Sequence, residues 1–198
     1  MIKEFEILKK EIAYQGFFRL EKYRLKHTLF KGGWGPEISR ELFARGECVG
    51  VLLYDPDADK VVLIEQFRVG ALTDEANPWL LEIVAGAIEE GETAEAVAFR
   101  EAEEEAGCQI QSIFKIGQFY TSPGGCGERL TLFCGKVDST NVGGIFGLEE
   151  ENEDILVRAV DFSEAYAMLE TGLIASAIPI IAIQWLALNI EDLKKKWL

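Results

Sequence analysis

The segment Ala94–Ala106, AEAVAFREAEEEA, constrains this chain more than any other stretch of comparable length. It is built from good helix formers and holds no Gly or Pro. Thr93 stands where an N-cap belongs, and Gly107 stands where a helix commonly ends on a left-handed residue. The pattern predicts a helix over 94–106. Each helical residue turns ~100°, so Glu101, Glu104 and Glu105 share an arc of roughly 100° on one face, while Glu103 points the other way. Ala98, Phe99, Ala102 and Ala106 form an adjoining apolar arc. Like charges at this spacing repel by about a few tenths of a kcal/mol per pair, and these lie toward the helix end that disfavours anions. Two readings follow: a solvated acidic face, or a face neutralised by a divalent cation, for which carboxylate oxygens are suitable ligands.

The rest of the chain frames that helix. Residues 9–29 alternate loosely between apolar and polar and predict two strands around Gly16, and residues 37–45 predict a third. The loop FKGGWGPE separates them. Cys48–Tyr54 and Lys60–Phe67 flank the turn DPDAD, a hairpin signal. Leu80–Val84 reads as one short apolar strand leading into Ala85 and Gly86. Strands are expected at 110–120, 129–137 and 155–160, and helices at 163–171 and 175–195, the last ending in Lys194, Lys195 and Lys196, which suit its dipole. The sum is an α+β chain: a small N-terminal antiparallel β layer over residues 1–45, then a mixed-sheet domain with packed helices over 46–198.

Composition narrows the partners. The 198 residues carry a formal net charge of −14, a poor match for a polyanionic nucleic acid. Eight Glu fall between Glu89 and Glu105, and a second run holds Glu149, Glu150, Glu151, Glu153 and Asp154. Cys48, Cys108, Cys126 and Cys134 form no CxxC pair and His27 is the single histidine, so a structural zinc site is not expected. Reduced cysteines and a charged N-terminus predict a cytoplasmic protein without a secretion signal. The longest apolar stretch, residues 174–188, is broken by Ser176, Pro179 and Gln184 and is too short to span a bilayer.

Gly86, Glu92, Arg100, Glu101, Ala102, Glu104, Glu105 and Gly107 stand in the spacing G-x5-E-x7-R-E-U-x-E-E-x-G-U. That segment, GAIEEGETAEAVAFREAEEEAGC, resembles a full Nudix box, with Cys108 where an aliphatic residue is usual. The resemblance to bacterial ADP-ribose pyrophosphatases extends over GFF (16–18), RELFARG (40–46), VVLIEQFR (61–68), PWLLEIVAG (78–86), TSPGG-x-x-ER (121–129) and GLEEENEDI (147–155). Pro123, 16 residues past Gly107, is a mark of the ADP-sugar branch. The fold it implies is the Nudix α/β/α sandwich.

The resemblance also implies roles. Glu101 and Glu105 are expected to ligate metal, with Glu104 assisting, Glu153 as a further ligand and the carbonyl of Ala85 completing the shell. Arg100 can fix a neighbouring glutamate by paired hydrogen bonds, with Glu92 tied to it. Hydrolysis by water needs a proton acceptor, and the resemblance assigns this to Glu151, with Glu149 and Glu150 as neighbouring alternatives. Arg68 is a candidate for the phosphates or the distal ribose, Arg40 for the same ligand from a partner subunit, Phe17 for stacking on adenine, and Glu128 for a sugar hydroxyl or the reacting phosphate. The implied reaction is Mg²⁺-dependent hydrolysis of ADP-ribose to AMP and ribose 5-phosphate, with two or more Mg²⁺ per site, replaceable by Mn²⁺. The implied assembly is a homodimer with exchanged N-terminal layers. Two rival readings stay open at this point: a pyrophosphatase for another sugar nucleotide such as ADP-glucose or GDP-mannose, and a Nudix-fold sensor that binds without cleaving.

Overall fold

The computed structural model describes residues 2–72 and 77–197, in two compact units. The first comprises the N-terminal residues to Glu47 together with Phe119–Leu130. Its antiparallel sheet runs in the order β1 (Phe5–Gln15), β2 (Arg19–His27), β3 (Ile38–Ala44). Loose alternation in the sequence has a structural counterpart here: β1 is exposed along its whole length, and its register with β2 slips at Ile7/Lys9 and at Ile12/Tyr14. Phe5, Ile7, Leu8, Ile12 and Tyr14 are left facing outward. The one buried charge of this sheet, Glu21, is 2% exposed and fully engaged, accepting from Tyr23 Oη at 2.6 Å and pairing with Lys10 at 3.0 Å and Arg19 at 2.8 Å. The 119–130 segment joins this unit through backbone bonds, Phe43 N–H to Gly125 O (2.8 Å) and Gly127 N–H to Phe43 O (2.9 Å).

The second unit holds an eight-stranded sheet in the order β10–β11–β5–β4–β9–β8, with β6 added on β5 and β7 on β4. The strands are β4 (Glu47–Asp55), β5 (Lys60–Phe67), β6 (Trp79–Glu82), β7 (Val84–Ala87), β8 (Ser112–Tyr120), β9 (Arg129–Lys136), β10 (Gly143–Phe146) and β11 (Ile155–Asp161), and the helices are α1 (Ala94–Ala106), α2 (Phe162–Glu170) and α3 (Ala177–Trp197). Alternation along β4 explains the layers. Val49, Val51 and Leu53 pack into one core with Val62 and Ile64 of β5 and Val97, Ala98, Ala102 and Ala106 of α1. The intervening residues face the other way: a Cβ on Gly50 would meet Ile178 of α3 at 3.1 Å, and Tyr54 lies edge-on to Phe162 of α2. A strand covered on both faces must be apolar at nearly every position, and β4 is. The result is the expected α+β sandwich.

Two local expectations differ. The single strand expected at 80–84 is two strands, because the chain leaves β5 and takes up β4 as its neighbour around Ile83. LLEIVA, the stretch around Ile83, carries no turn residue, so the switch has no sequence signal. The strand Gly143–Phe146 was not expected at all; Gly143 and Gly144 adopt φ of 146° and 127°, and a glycine pair reads as loop. Among the described residues no helix is long and apolar enough to cross a membrane.

Candidate active site

Helix α1 begins and ends on the expected devices. Thr93 accepts a hydrogen bond from Ala96 N–H (3.2 Å), and Gly107, at φ 62°, closes the helix with its N–H on Glu103 O and the next N–H, of Cys108, on Ala102 O. These caps fix which residues face the sheet. Glu105 falls on the buried stripe with Ala98 and Ala102 and is only 3% exposed. A carboxylate placed there needs donors, and Ala85 of β7 supplies one, its N–H lying 2.9 Å from Glu105 Oε2. The neighbouring Gly86 is required for a steric reason: any Cβ at that position would occupy the space of the Glu101 carboxylate.

Arg100 serves three acids at once. Its Nε lies 3.3 Å from Glu92, and its Nη1 lies 2.9 Å from Glu101 and 2.8 Å from Glu104. Glu92 in turn accepts from Glu89 N–H at 3.0 Å, so the loop before α1 is tied to the helix face. Glu103 is exposed on the far side. The second acidic run approaches the same helix through its backbone, Gly147 N–H donating to Glu104 O at 3.3 Å. Gly147, at φ 102°, sits so close to Glu153 that a Cβ there would meet Glu153 Cβ at 2.6 Å. Glu153 is half-buried and accepts from Leu148 N–H at 3.2 Å. Glu149, Glu150 and Glu151 form an exposed 3-10 turn closed by Asn152 at φ 57°.

Burial and mutual repulsion show in the proton affinities. Burial pushes the Glu105 carboxyl up to about 8; the Ala85 N–H and Arg68 oppose this, while Glu101 and Glu153 add to it. Burial pushes Glu101 up to about 7, against the pull of Arg100 and with the help of Glu104 and Glu153. Glu101, Glu105 and Glu153 therefore lie within electrostatic reach of one another. They do not yet converge on one point: among the described residues no three His, Cys, Asp or Glu side chains are gathered at ligating distance. Each is turned toward another donor, Arg100, Ala85 N–H or Leu148 N–H. The donor set nonetheless fits a hard dication. It consists of carboxylate oxygens, two of them held in a buried environment that disfavours uncompensated negative charge, and a bound cation would remove that penalty.

Arg68, just past β5, pairs with Glu82 of β6 at 2.7 Å, and its charge is felt at Glu105. Glu82 was not singled out from the sequence. Its signal was there: one acid inside the apolar run LLEIV must have a partner. The remaining three candidates lie in the N-terminal unit. Phe17 is 96% exposed with its ring edge-on to Phe18 at 4.8 Å, and Phe18 stacks edge-on with Phe43 at 4.9 Å. Arg40 is exposed on β3 and donates to Ser39 O at 2.8 Å. Glu128 pairs with Arg45 at 2.8 Å, while its sequence neighbour Arg129 lies 3.6 Å from Glu47.

Known proteins share both the sequence and the fold of this chain. The ADP-ribose pyrophosphatase of Escherichia coli (strain K12) is 48% identical over 192 residues, covering 97% of this chain and 92% of that protein. The GDP-mannose pyrophosphatase of Cronobacter sakazakii (strain ATCC BAA-894) is 35% identical over 189 residues, covering 93% of this chain and 95% of that protein. A crystal structure of an ADP compounds hydrolase shares the fold, with a TM-score of 0.72 over 96% of this chain and 95% of its own, at 18% identity. Residues 44–182 match the NUDIX domain. Because that match takes in both the β7–α1 segment and the acidic loop and runs over more than half of the chain, the protein is a member of the Nudix family.

Proposed function

We propose that this protein hydrolyses the pyrophosphate bond of ADP-ribose, giving AMP and ribose 5-phosphate, with Mg²⁺ as its metal. The observation that carries the reading is the trio Glu101, Glu105 and Glu153, three acids in electrostatic reach of each other around a buried helix face. The 48% identity to a protein named ADP-ribose pyrophosphatase supports the substrate.

Glu101, Glu105 and Glu153 would hold the metal, with the Ala85 carbonyl as a further oxygen. A divalent cation bound there supplies charge neutralisation of the diphosphate and a lowered pKa for water. The chain's own residues do the rest. Arg100 ties the Glu101 and Glu104 carboxylates to Glu92 and so limits the positions they can take. Arg68, oriented by Glu82, offers a guanidinium to the phosphates or the distal ribose. Glu151, exposed on the 3-10 turn, serves as the base that receives the proton from the attacking water. By the same resemblance Phe17 is assigned to stacking on adenine, Arg40 to the ligand of a partner subunit, and Glu128 to a sugar hydroxyl or the reacting phosphate. Catalysis on this scheme is positioning and electrostatics with no covalent intermediate.

We further infer a cytoplasmic homodimer with two or more Mg²⁺ per site. The outward-facing Phe5, Ile7, Leu8, Ile12 and Tyr14 of β1 support the dimer, since exposed apolar surface of this kind is usually covered by a partner. A second substrate reading, GDP-mannose, is favoured by the 35% identity to a GDP-mannose pyrophosphatase. Values of kcat/KM for ADP-ribose, ADP-glucose and GDP-mannose at millimolar Mg²⁺ decide between them. A preference of about tenfold or more for ADP-ribose is expected. A tenfold preference for GDP-mannose replaces the substrate assignment, and an absence of any nucleoside monophosphate product rejects hydrolysis.

A further inference from the structure

Among the described residues two side-chain polar atoms are buried without a hydrogen-bond partner, Gln66 Nε2 and Ser176 Oγ. Ser176 directly precedes α3, at a capping position. Gln66 is different. It lies in β5, two residues past the apolar run Val61, Val62, Leu63, Ile64, and it is 7% exposed. An amide donor that has lost water and gained no acceptor weakens the fold, so a strand that carries one calls for another acceptor.

The pleat says where that acceptor is. Successive side chains alternate, so Gln66 shares its face with Ile64 on one side and Arg68 on the other. Ile64 belongs to the core formed with Ala98, Ala102 and Ala106 of α1. The charge of Arg68 is felt at Glu105. Gln66 therefore stands between them, in the layer into which Glu105 projects from the same helical stripe as Ala98 and Ala102. Glu105 Oε2 receives the Ala85 N–H, and a carboxylate has room for further donors.

We propose that Gln66 is a positioning residue for metal binding: its Nε2 donates to the Glu105 carboxylate when that group turns to hold a divalent cation, and so sets the orientation of the ligand. The role rests on the cation-binding reading of Glu101, Glu105 and Glu153. Carboxylate ligands are themselves generally hydrogen-bonded, and loss of such a partner commonly weakens metal affinity about 10- to 100-fold. In this account the unpartnered donor is a strain that the metal-free fold tolerates and that cation binding relieves.

The test is Mn²⁺ titration of the metal-free protein followed by electron paramagnetic resonance, without substrate, on wild type, Gln66→Met and Gln66→Glu. Thermal melts and the Mg²⁺ dependence of ADP-ribose turnover accompany it. Gln66→Met keeps the length of the side chain and removes the donor. It is expected to bind Mn²⁺ about tenfold more weakly and to need correspondingly more Mg²⁺ for half-maximal rate. KM for ADP-ribose at saturating Mg²⁺ should stay within about twofold, and the metal-free melting temperature should not fall, because an unsatisfied donor has been removed. Wild-type Mn²⁺ affinity in Gln66→Met overturns the proposal, whichever way its melting temperature moves. Tighter Mn²⁺ binding by Gln66→Glu also overturns it, since the side chain would then be acting as a ligand. Failure of the wild type itself to bind Mn²⁺ rejects the cation reading and this role with it, and the wild-type titration tells that failure apart from the other two.

Discussion

Two acidic runs that look alike in the sequence end in opposite environments. On α1, Glu105 is buried and Glu101 mostly so, with proton affinities raised to about 8 and about 7. On the 147–154 loop, Glu149, Glu150 and Glu151 are exposed on a 3-10 turn, and only Glu153 is drawn inward. The difference is one of backbone geometry, not of charge density. A capped helix packed on a sheet forces its i, i+4 and i+7 positions into the interior whatever their chemistry, whereas a short turn on the surface leaves its side chains in water. Buried acids can grip a cation because water does not compete for them. Exposed acids on a short turn remain open to solvent. The proposed mechanism uses both kinds, with Glu101, Glu105 and the inward-turned Glu153 as ligands and the exposed Glu151 as base.

That contrast is open to measurement. The largest effect is expected at the buried acids: Glu105→Gln and Glu101→Gln should each lower kcat by about 10³-fold or more and weaken the dependence on Mg²⁺, as loss of several kcal/mol of metal-derived stabilisation implies. The metal-free melting temperature of Glu105→Gln should rise or hold, because a neutral amide oxygen still accepts from Ala85 N–H without the penalty of a buried charge. A drop in stability together with unchanged kcat would reverse the assignment of that residue. Next comes Glu151→Gln, expected to lower kcat by about 10²-fold with little change in KM or in Mn²⁺ affinity. Weakened Mn²⁺ binding in that variant would move Glu151 from the exposed class into the ligand set.

A pH series sharpens the comparison further. Glu101 and Glu105 bind protons more tightly in the folded than in the unfolded chain, where an ordinary glutamate titrates near ~4.3. The folded protein thus holds more protons between that value and about 8, and metal-free stability falls as pH rises through this window. Metal needs the deprotonated acids, so the increase in melting temperature produced by Mg²⁺ should grow from pH 6 to pH 8.5 and flatten in Glu105→Gln. A Mg²⁺ shift independent of pH in the wild type would contradict the assigned burial. Glu149→Gln and Glu150→Gln mark the small end of the scale, with kcat and melting temperature expected to stay within about twofold and about 1 °C of wild type, as for exposed side chains away from the metal.

How much of this could be read beforehand depended on whether a feature is local. The helix, its Thr93 cap, its Gly107 terminus and the shared face of Glu101, Glu104 and Glu105 follow from residues within one or two turns of each other, and all are present. The tie of Arg100 to Glu92 is similarly short-range. The strand switch at Ile83 depends on which neighbour the sheet offers on each side, and no residue in LLEIVAGA encodes that choice. The pairing of Arg68 with Glu82 and the burial of Gln66 are likewise products of β5 and β6 lying side by side. Glutamate count alone could not tell a buried carboxylate from an exposed one. The spacing on a capped helix put Glu105 on the acidic face but not in the core, where it lies 3% exposed while Phe99 of the expected apolar arc is 40% exposed; it said nothing of Glu153, whose inward turn comes with the left-handed Gly147 and Asn152 around it.

In the proposed mechanism Glu101, Glu105 and Glu153 bind a divalent cation on which hydrolysis depends. Crystals of the protein soaked with Mn²⁺ and a nonhydrolysable ADP-ribose analogue, measured at the manganese absorption edge, test it most directly. The expected result is an anomalous peak bonded to carboxylate oxygens of Glu101 and Glu105, with Glu153 turned toward it. An enzyme that hydrolyses ADP-ribose in the same Mn²⁺ solution but shows no peak beside those carboxylates would contradict it.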